Sequence, residues 1–357
     1  MTRLLFPTDF RTDLSGGAPV VVTVDSTTAR IHWELLALPE QQMLLNGGDF
    51  DEPSQNGYPG DRDLDRFLGI AFGLTRQLRS SFARRSEPLP ARHRLVRVLV
   101  VADPAADARL PGAEEEGNAV ADLLELYNLL TPTMNRIEVV RLIGPGEATR
   151  TRVLQHLLTR KYDVLHFAGH GQYNSANTLS SGWVFSNQEL ITANEIQRVD
   201  RVPSLVVSNA CESGITPDRA GDRSPGMAPN FAETFFARGV ANFVCTAWPV
   251  GDREARDFAL SFYADLLGLS FAPPQGNPAL RIESRNYTAG QAQPIYKAMR
   301  NARRAIANLP YDRHSWGAYQ HYGNPYARLF QNQPDNESVT TARSADLVAA
   351  PTLAQTA

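Results

Sequence analysis

Five apolar runs, evenly interleaved with amphipathic stretches, limit this chain to one class of architecture. "RLVRVLVVAD" (94–103), "IEVVRLIG" (137–144), "YDVLHFAG" (162–169), "SLVVSNAC" (204–211) and "NFVCTAW" (242–248) are each strand-length and rich in branched residues. The first has the length and character of a buried strand, as in parallel sheets. Between and after them lie helical patterns. "PGAEEEGNAVADLLELYNLL" (111–130) opens on proline and acidic residues and then turns periodic, as a helix start should. "EATRTRVLQHLLTR" (147–160), "PNFAETFFARG" (229–239) and "REARDFALSFYADLLG" (253–268) repeat the pattern. Strand alternating with helix predicts an α/β domain, with about six mainly parallel strands and helices on both faces. The ends of the runs at 162–169 and 204–211 are expected side by side.

This core is expected over 92–330, preceded by an N-terminal part (1–91) and followed by a polar, small-residue tail (331–357) of disordered character. Within the first part, Val20–Val24, a Ser-Thr turn and "IHWELL" read as a hairpin. Residues 46–66 read as an acidic surface loop, 82–94 as an exposed basic linker, and 268–293 as an insertion.

Charge and cysteine content narrow the function classes. Lys and Arg total 35 against 38 Asp and Glu, a net charge of −3, so no general field for nucleic acid or anionic membrane exists. No apolar run approaches the ~20 residues of a membrane span. The opening "MTRLLFPTDFRTD" lacks the apolar stretch of a signal peptide. Two cysteines, Cys211 and Cys245, argue against a disulfide scaffold or zinc-thiolate cluster and for a reducing, cytoplasmic setting. No glycine-rich phosphate loop of either common pattern is present, and no cofactor is expected.

"VLHFAGHGQYN" (164–174) carries two histidines four residues apart. On a helix they could share a metal, but Gly169 and Gly171 would break a helix, and the glutamate of the H-E-x-x-H zinc motif is missing. No metal is expected. His166 reads as a buried strand histidine with a hydrogen-bond partner. His170 reads as a glycine-flanked loop residue just past the strand's carboxyl end, where open α/β sheets place ligands. "SLVVSNACESG" repeats the arrangement with Cys211 at its edge. Adjacent strands ending in His and Cys can bring a base to a thiol nucleophile. Cys211 follows His170 by 41 residues, near the ~50 residues that part the pair in caspases. The spacing equally allows a buried structural cysteine and an unrelated loop histidine. Cys245, mid-strand, reads as core.

Taken in series, "IHWELL", "LPGAEEEGNAV", "HFAGHG", "LVVSNACESG", "TAWPVGDREARDFALSFYADLL" and "HSWGAYQHYGNP" resemble the CHAT domain, a branch of the caspase-like cysteine peptidases related to separase. The likeness runs through most of 29–325 in the family's order. Departures are Asn209 where small residues are commoner, Gly251 where Asp is common, and a longer insertion at 268–293. The resemblance implies a caspase-like three-layer sandwich, with His170 as general base and Cys211 as nucleophile. It further implies an oxyanion hole from the backbone amides of Gly171 and Cys211, a sensible use of glycine where a backbone must approach closely. No Asp or Asn third member can be assigned.

"WPVGD" resembles the separase segment in which a Trp is followed four residues later by an Asp that holds the substrate's arginine. Carried over, the acid is Asp252 and the pocket wall Trp248, with Glu212 as a second candidate acid. The alternatives are that Asp252 caps the helix beginning near Arg253, and that Trp248 caps the core. Arg219 and Arg223, in the segment after the nucleophile, are candidate self-processing sites, or simply solvated loop residues. The expected function is a cysteine endopeptidase acting on a protein substrate after Arg, with Lys weaker. CHAT domains often follow repeat or sensor segments, so a regulatory sensor protein or repeat-containing chain is an expected partner. Nucleic acid and membrane are not. The competing reading is a non-catalytic CHAT-like interaction module, since fold alone does not give activity.

Overall fold

In the computed structural model the described residues are 18–25, 28–38, 64–78, 95–131, 135–172, 174, 180–196, 198–199, 201–211, 235, 240–272, 286–309, 314–330 and 341–343. Most of the acidic loop at 46–66, the basic linker at 82–94, the segment with Glu212, Arg219 and Arg223, most of the helix expected at 229–239, and most of the tail lie outside them.

The sheet follows from the apolar runs. β3 (Leu95–Ala102), β4 (Arg136–Ile143), β5 (Val164–Gln172), β8 (Leu205–Cys211) and β9 (Asn242–Thr246) fall where those runs predict. Two N-terminal strands, β1 (Val21–Val24) and β2 (Thr75–Leu78), and a late one, β12 (Tyr319–Gly323), extend the sheet to the order β1-β2-β12-β9-β8-β5-β3-β4. Neighbours along this path run parallel except β9 and β12. Two short strands, β6 (Gly182–Val184) and β7 (Leu190–Thr192), hang off the end of β5.

Because strand side chains alternate in direction, each strand serves two cores. Val96, Val98, Val100, Val164, Leu205, Val207 and Val244 meet helices α1 (Pro111–Leu130), α3 (Asp252–Leu267) and α4 (Ile295–Ala307). Leu99, Val101, Leu142, Leu165, Phe167 and Val206 meet α2 (Arg150–Thr159) and the β6–β7 region on the other side. This is the expected three-layer α/β arrangement. The helix ends obey local chemistry. Pro111 occupies the first turn of α1, Thr149 caps α2 by accepting from the amide of Arg152, and α3 stops at Gly268 with φ +72°.

The N-terminal hairpin is not what forms. β1 pairs in parallel with β2, Val21 opposite Thr75, and Trp33–Leu35 is a 3-10 turn. Parallel partners need a long crossover, so the true partner lay some 50 residues downstream, beyond the reach of a local pattern. The turn is instead fixed by charge. Glu34, fully buried, accepts from Arg76 through both oxygens at 2.9 and 2.6 Å, and lies 3.8 Å from buried Arg303. Burial disfavours the Arg76 cation, but Glu34 outweighs this and holds it above the usual arginine range. Burial lowers Arg303 to about 10, a drop that Glu34 resists and Arg76 adds to. Arg303 also donates to the carbonyls of Tyr319 and Gly69, so one anion and two cations tie the N-terminal segment, α4 and β12 together. Glu34→Ala leaves both cations uncompensated, and a loss of about 3–5 kcal/mol is expected. Chemical unfolding of the purified variant measures it, and an unchanged midpoint contradicts this account.

Two strands fall within the insertion at 268–293. β10 (Leu269–Ala272) and β11 (Asn286–Ala289) pair antiparallel, and β13 (Thr341–Arg343), within the tail, adds a third strand.

Candidate active site

β5 and β8 lie side by side and in parallel, from Val164 opposite Leu205 to His170 opposite Cys211. Neighbouring strands stand about 4.7–4.9 Å apart, so the backbones of His170 and Cys211 are immediate neighbours at the same height. Their position is the carboxyl edge of the sheet. One expectation is corrected here, because His170 is not on a loop. β5 continues to Gln172 when Gly171 and Gln172 pair antiparallel with Trp183 and Gly182 of β6. A partner strand contributed from downstream extends β5 across two glycines that a local reading takes as its end. Gly169 has its own reason, since a β-carbon there would come within 3.1 Å of Pro104.

On a strand, His166 and His170 share a face but stand four rises apart, roughly 13 Å. That is too far for one metal with ligand bonds near 2 Å. Among the described residues no group of three or more His, Cys, Asp or Glu is arranged to hold a metal ion.

His170 is half-buried, and its Nε2 lies 2.9 Å from the carbonyl oxygen of Ala108. A carbonyl can only accept, so the ring donates from Nε2, and in the neutral imidazole Nδ1 is then the basic nitrogen. Ala108 lies between β3 and α1, and nothing in an alanine signals such a role. The hydrogen-bond partner of the His170 ring is thus a backbone group.

Beneath this edge is a buried polar group on the same sheet face. Asn209 donates to Glu116 of α1, whose Oε1 also lies 3.2 Å from His166 Nε2, outside hydrogen-bonding geometry. The Tyr263 hydroxyl lies 3.4 Å from His166 Nδ1. Asn209, a departure from the family pattern, therefore has a partner, and His166 is buried as expected. Glu116 was legible in principle. It interrupts the stripe Ala113, Gly117, Val120 on the buried side of α1.

Trp248 follows β9, half-buried, with the His32 ring edge-on at 4.8 Å and 89°. Burial, against Glu34 and with Arg76, holds that imidazole below its ordinary value. Asp252 is exposed and is the first residue of α3. The N-cap is Gly251, with no side-chain cap, so Asp252 is not the helix cap. Its carboxyl lies against Gly112 in the first turn of α1, where a β-carbon would collide with it. Cys245 is buried, and burial pushes its thiol well above the usual range, which makes it a poor nucleophile.

The family model described as the CHAT domain matches residues 2–324. The chain belongs to the CHAT-domain family. No curated protein matches it in sequence. Among solved structures, the chain is similar to gingipain R, an Arg-specific cysteine proteinase, at 11% identity and TM-score 0.41, over 71% of this chain and 55% of that one. It is similar to the Saccharomyces cerevisiae separase–securin complex at 11% identity and TM-score 0.43, over 87% of this chain and 15% of that one. It is similar to the Drosophila initiator caspase Dronc at 10% identity and TM-score 0.36, over 70% and 87%. The chain thus spans about half of gingipain R and a small part of the separase chain.

In this CHAT domain the elements that carry His170, Gly171 and Cys211 converge at one edge of the sheet. Trp248 follows the strand next to β8, and Asp252 reaches the start of α1, whose preceding loop carries Ala108. Among the described residues, no helix is long and apolar enough to cross a membrane.

Proposed function

We propose that this CHAT domain is a cysteine endopeptidase that cleaves protein chains after arginine, and after lysine less well. The observation that carries the reading is the pairing of His170 with Cys211 across adjacent strands, with His170 Nε2 held by a carbonyl. A base whose Nε2 carries the fixed hydrogen has Nδ1 for the thiol proton. In the reading, Cys211 sulfur attacks the scissile carbonyl carbon while its proton passes to His170 Nδ1. Backbone amides of Gly171 and Cys211 stabilise the oxygen where negative charge develops. The C–N bond breaks as His170 protonates the departing amine, leaving a thioester. Water, losing a proton to His170, then hydrolyses the thioester and restores the thiol. One water is consumed per bond cut and no cofactor enters.

Arginine preference rests on the Trp248–Asp252 spacing and on Asp252 not being occupied as a helix cap. The reading places the enzyme in the cytoplasm, with its trigger on a partner such as a sensor protein or repeat-containing chain. The test is a peptide pool with every residue type at the cleaved position, incubated with the purified chain and read by mass spectrometry. Iodoacetamide-sensitive cuts after Arg are expected. A pool left intact, with and without candidate partner chains, favours the interaction-module reading.

Self-processing is a separate expectation. New N-termini at Ala220 and Ser224, from cuts after Arg219 and Arg223, are expected on incubation of the wild type and not of Cys211→Ala. Fragments equal in both, or in neither, end that idea.

A further inference from the structure

The loop from Asp103 to Leu110 is tied down at nearly every residue. At its start, the Asp103 amide donates to the carbonyl of Ala168 at 2.9 Å, two residues before His170 on β5. Asp103 has φ +47°, a left-handed conformation that costs an L-residue energy and that aspartate tolerates better than most. Its side chain is 1% exposed, and the carboxylate folds back over the loop's far end. Oδ1 accepts from the Leu110 amide at 2.8 Å and Oδ2 from Arg109 Nε at 2.5 Å. Arg109 in turn donates to Glu114 in the first turn of α1 at 2.5 Å.

The turn between β6 and β7 holds the loop's outer side. Ser186 Oγ donates to the Pro104 carbonyl at 3.1 Å and accepts from the Ala106 amide at 3.0 Å. Asp107 accepts from the Asn187 amide at 3.2 Å and from Gln188 Nε2 at 2.9 Å. What these ties have in common is Ala108, which lies inside them and presents its carbonyl to His170. Strain at a residue that is also a buried, doubly used carboxylate is a cost that a plain surface connection has no need to bear.

We propose that Asp103 is a positioning residue for His170. Its carboxylate sets where the Ala108 carbonyl points, and that carbonyl sets the tautomer and ring plane of His170. Asp103 itself touches no substrate. The inference rests on the peptidase reading for its consequence, but not for its test.

The test uses the full chain with ¹⁵N-labelled histidine, the His170 signals being assigned by their loss in His170→Gln. In the wild type at neutral pH the ring nitrogens should report hydrogen on Nε2. In Asp103→Ala, which removes the acceptors for both Leu110 and Arg109, they should report a mixture of tautomers. Asp103→Asn keeps volume and the Oδ1 acceptor, and should fall between the two. It decides the matter if Asp103→Ala does not fold. In a cleavage assay the same variants should lower kcat, by on the order of 10²-fold for the alanine form, with KM nearly unchanged, because a misplaced base slows chemistry and not binding. Retention of the Nε2–H tautomer in both variants overturns the proposal. An absence of peptidase activity in every form, with the tautomer shift present, refutes the peptidase reading and leaves the positioning role standing.

Discussion

Cys211→Ala and His170→Ala are each expected to lower kcat/KM by on the order of 10⁴- to 10⁶-fold, and the double variant to lose little more. Under the proposed mechanism the two side chains act as one unit. Without sulfur there is no covalent intermediate, and without imidazole the thiol has no base for its proton and the amine no acid to leave on. Two single losses that together exceed the double loss are therefore the signature of a dyad, whereas independent contributors would add. Chemistry separates the two roles further. His170→Ala retains the thiol but removes the base that takes its proton, so alkylation by iodoacetamide near neutral pH should slow markedly. Cys211→Ala should abolish labelling at this site, while buried Cys245, its thiol pushed up by burial, stays unreactive in the folded protein. Melting curves should shift little, since Cys211 ends β8 and His170 lies near the end of β5, away from the two cores at the middle of the sheet. Full cleavage by either single variant would remove the dyad from the mechanism.

Asp252→Ala is expected to cost arginine substrates on the order of 10²- to 10³-fold in kcat/KM, and to leave alkylation of Cys211 unchanged. The size follows from the hydrogen bonds that alanine cannot make. A carboxylate and a guanidinium match as two parallel charge-assisted hydrogen bonds, each worth about 1.5–3 kcal/mol. Lysine offers a point charge and cannot make both, so its substrates should lose less. Asp252 is exposed without substrate, so part of this gain is offset by stripping its water when the pocket fills. Asp252→Asn keeps the shape and one acceptor oxygen and should fall between wild type and alanine. The gap between asparagine and aspartate isolates the charge. Arginine preference that survives in Asp252→Ala removes this residue from the pocket, and the same measurement on Glu212→Ala then tests the second candidate. Gly112 packs against Asp252. No side chain fits there while Asp252 holds its place, so the first turns of α1 and α3 are built around each other.

The residues alone determined a good deal about this protein. The apolar runs at 94–103, 137–144, 162–169, 204–211 and 242–248 read as strands, and each appears within a few residues of its expected place; 94–103 becomes the buried strand β3, whereas 137–144 becomes the partly exposed edge strand β4. The helix 111–130 has the expected ends, since a proline start and an apolar stripe are local signals. His170 and Cys211 stood out because each ends an apolar run beside glycine or small polar residues, and the series of motifs named the family. What only the tertiary structure decided is pairing. Nothing within four residues of Val21 points to Thr75, and nothing near Gly169 shows that β6 will extend the strand beyond it. The buried charges were hidden for the same reason. Glu34, Arg76 and Arg303 look like surface residues until both arginines are brought within 4 Å of Glu34. Least legible was the partner of His170. A backbone carbonyl belongs to every residue, so the one at Ala108 acquires its role from where the fold points it and from nothing its own side chain could announce.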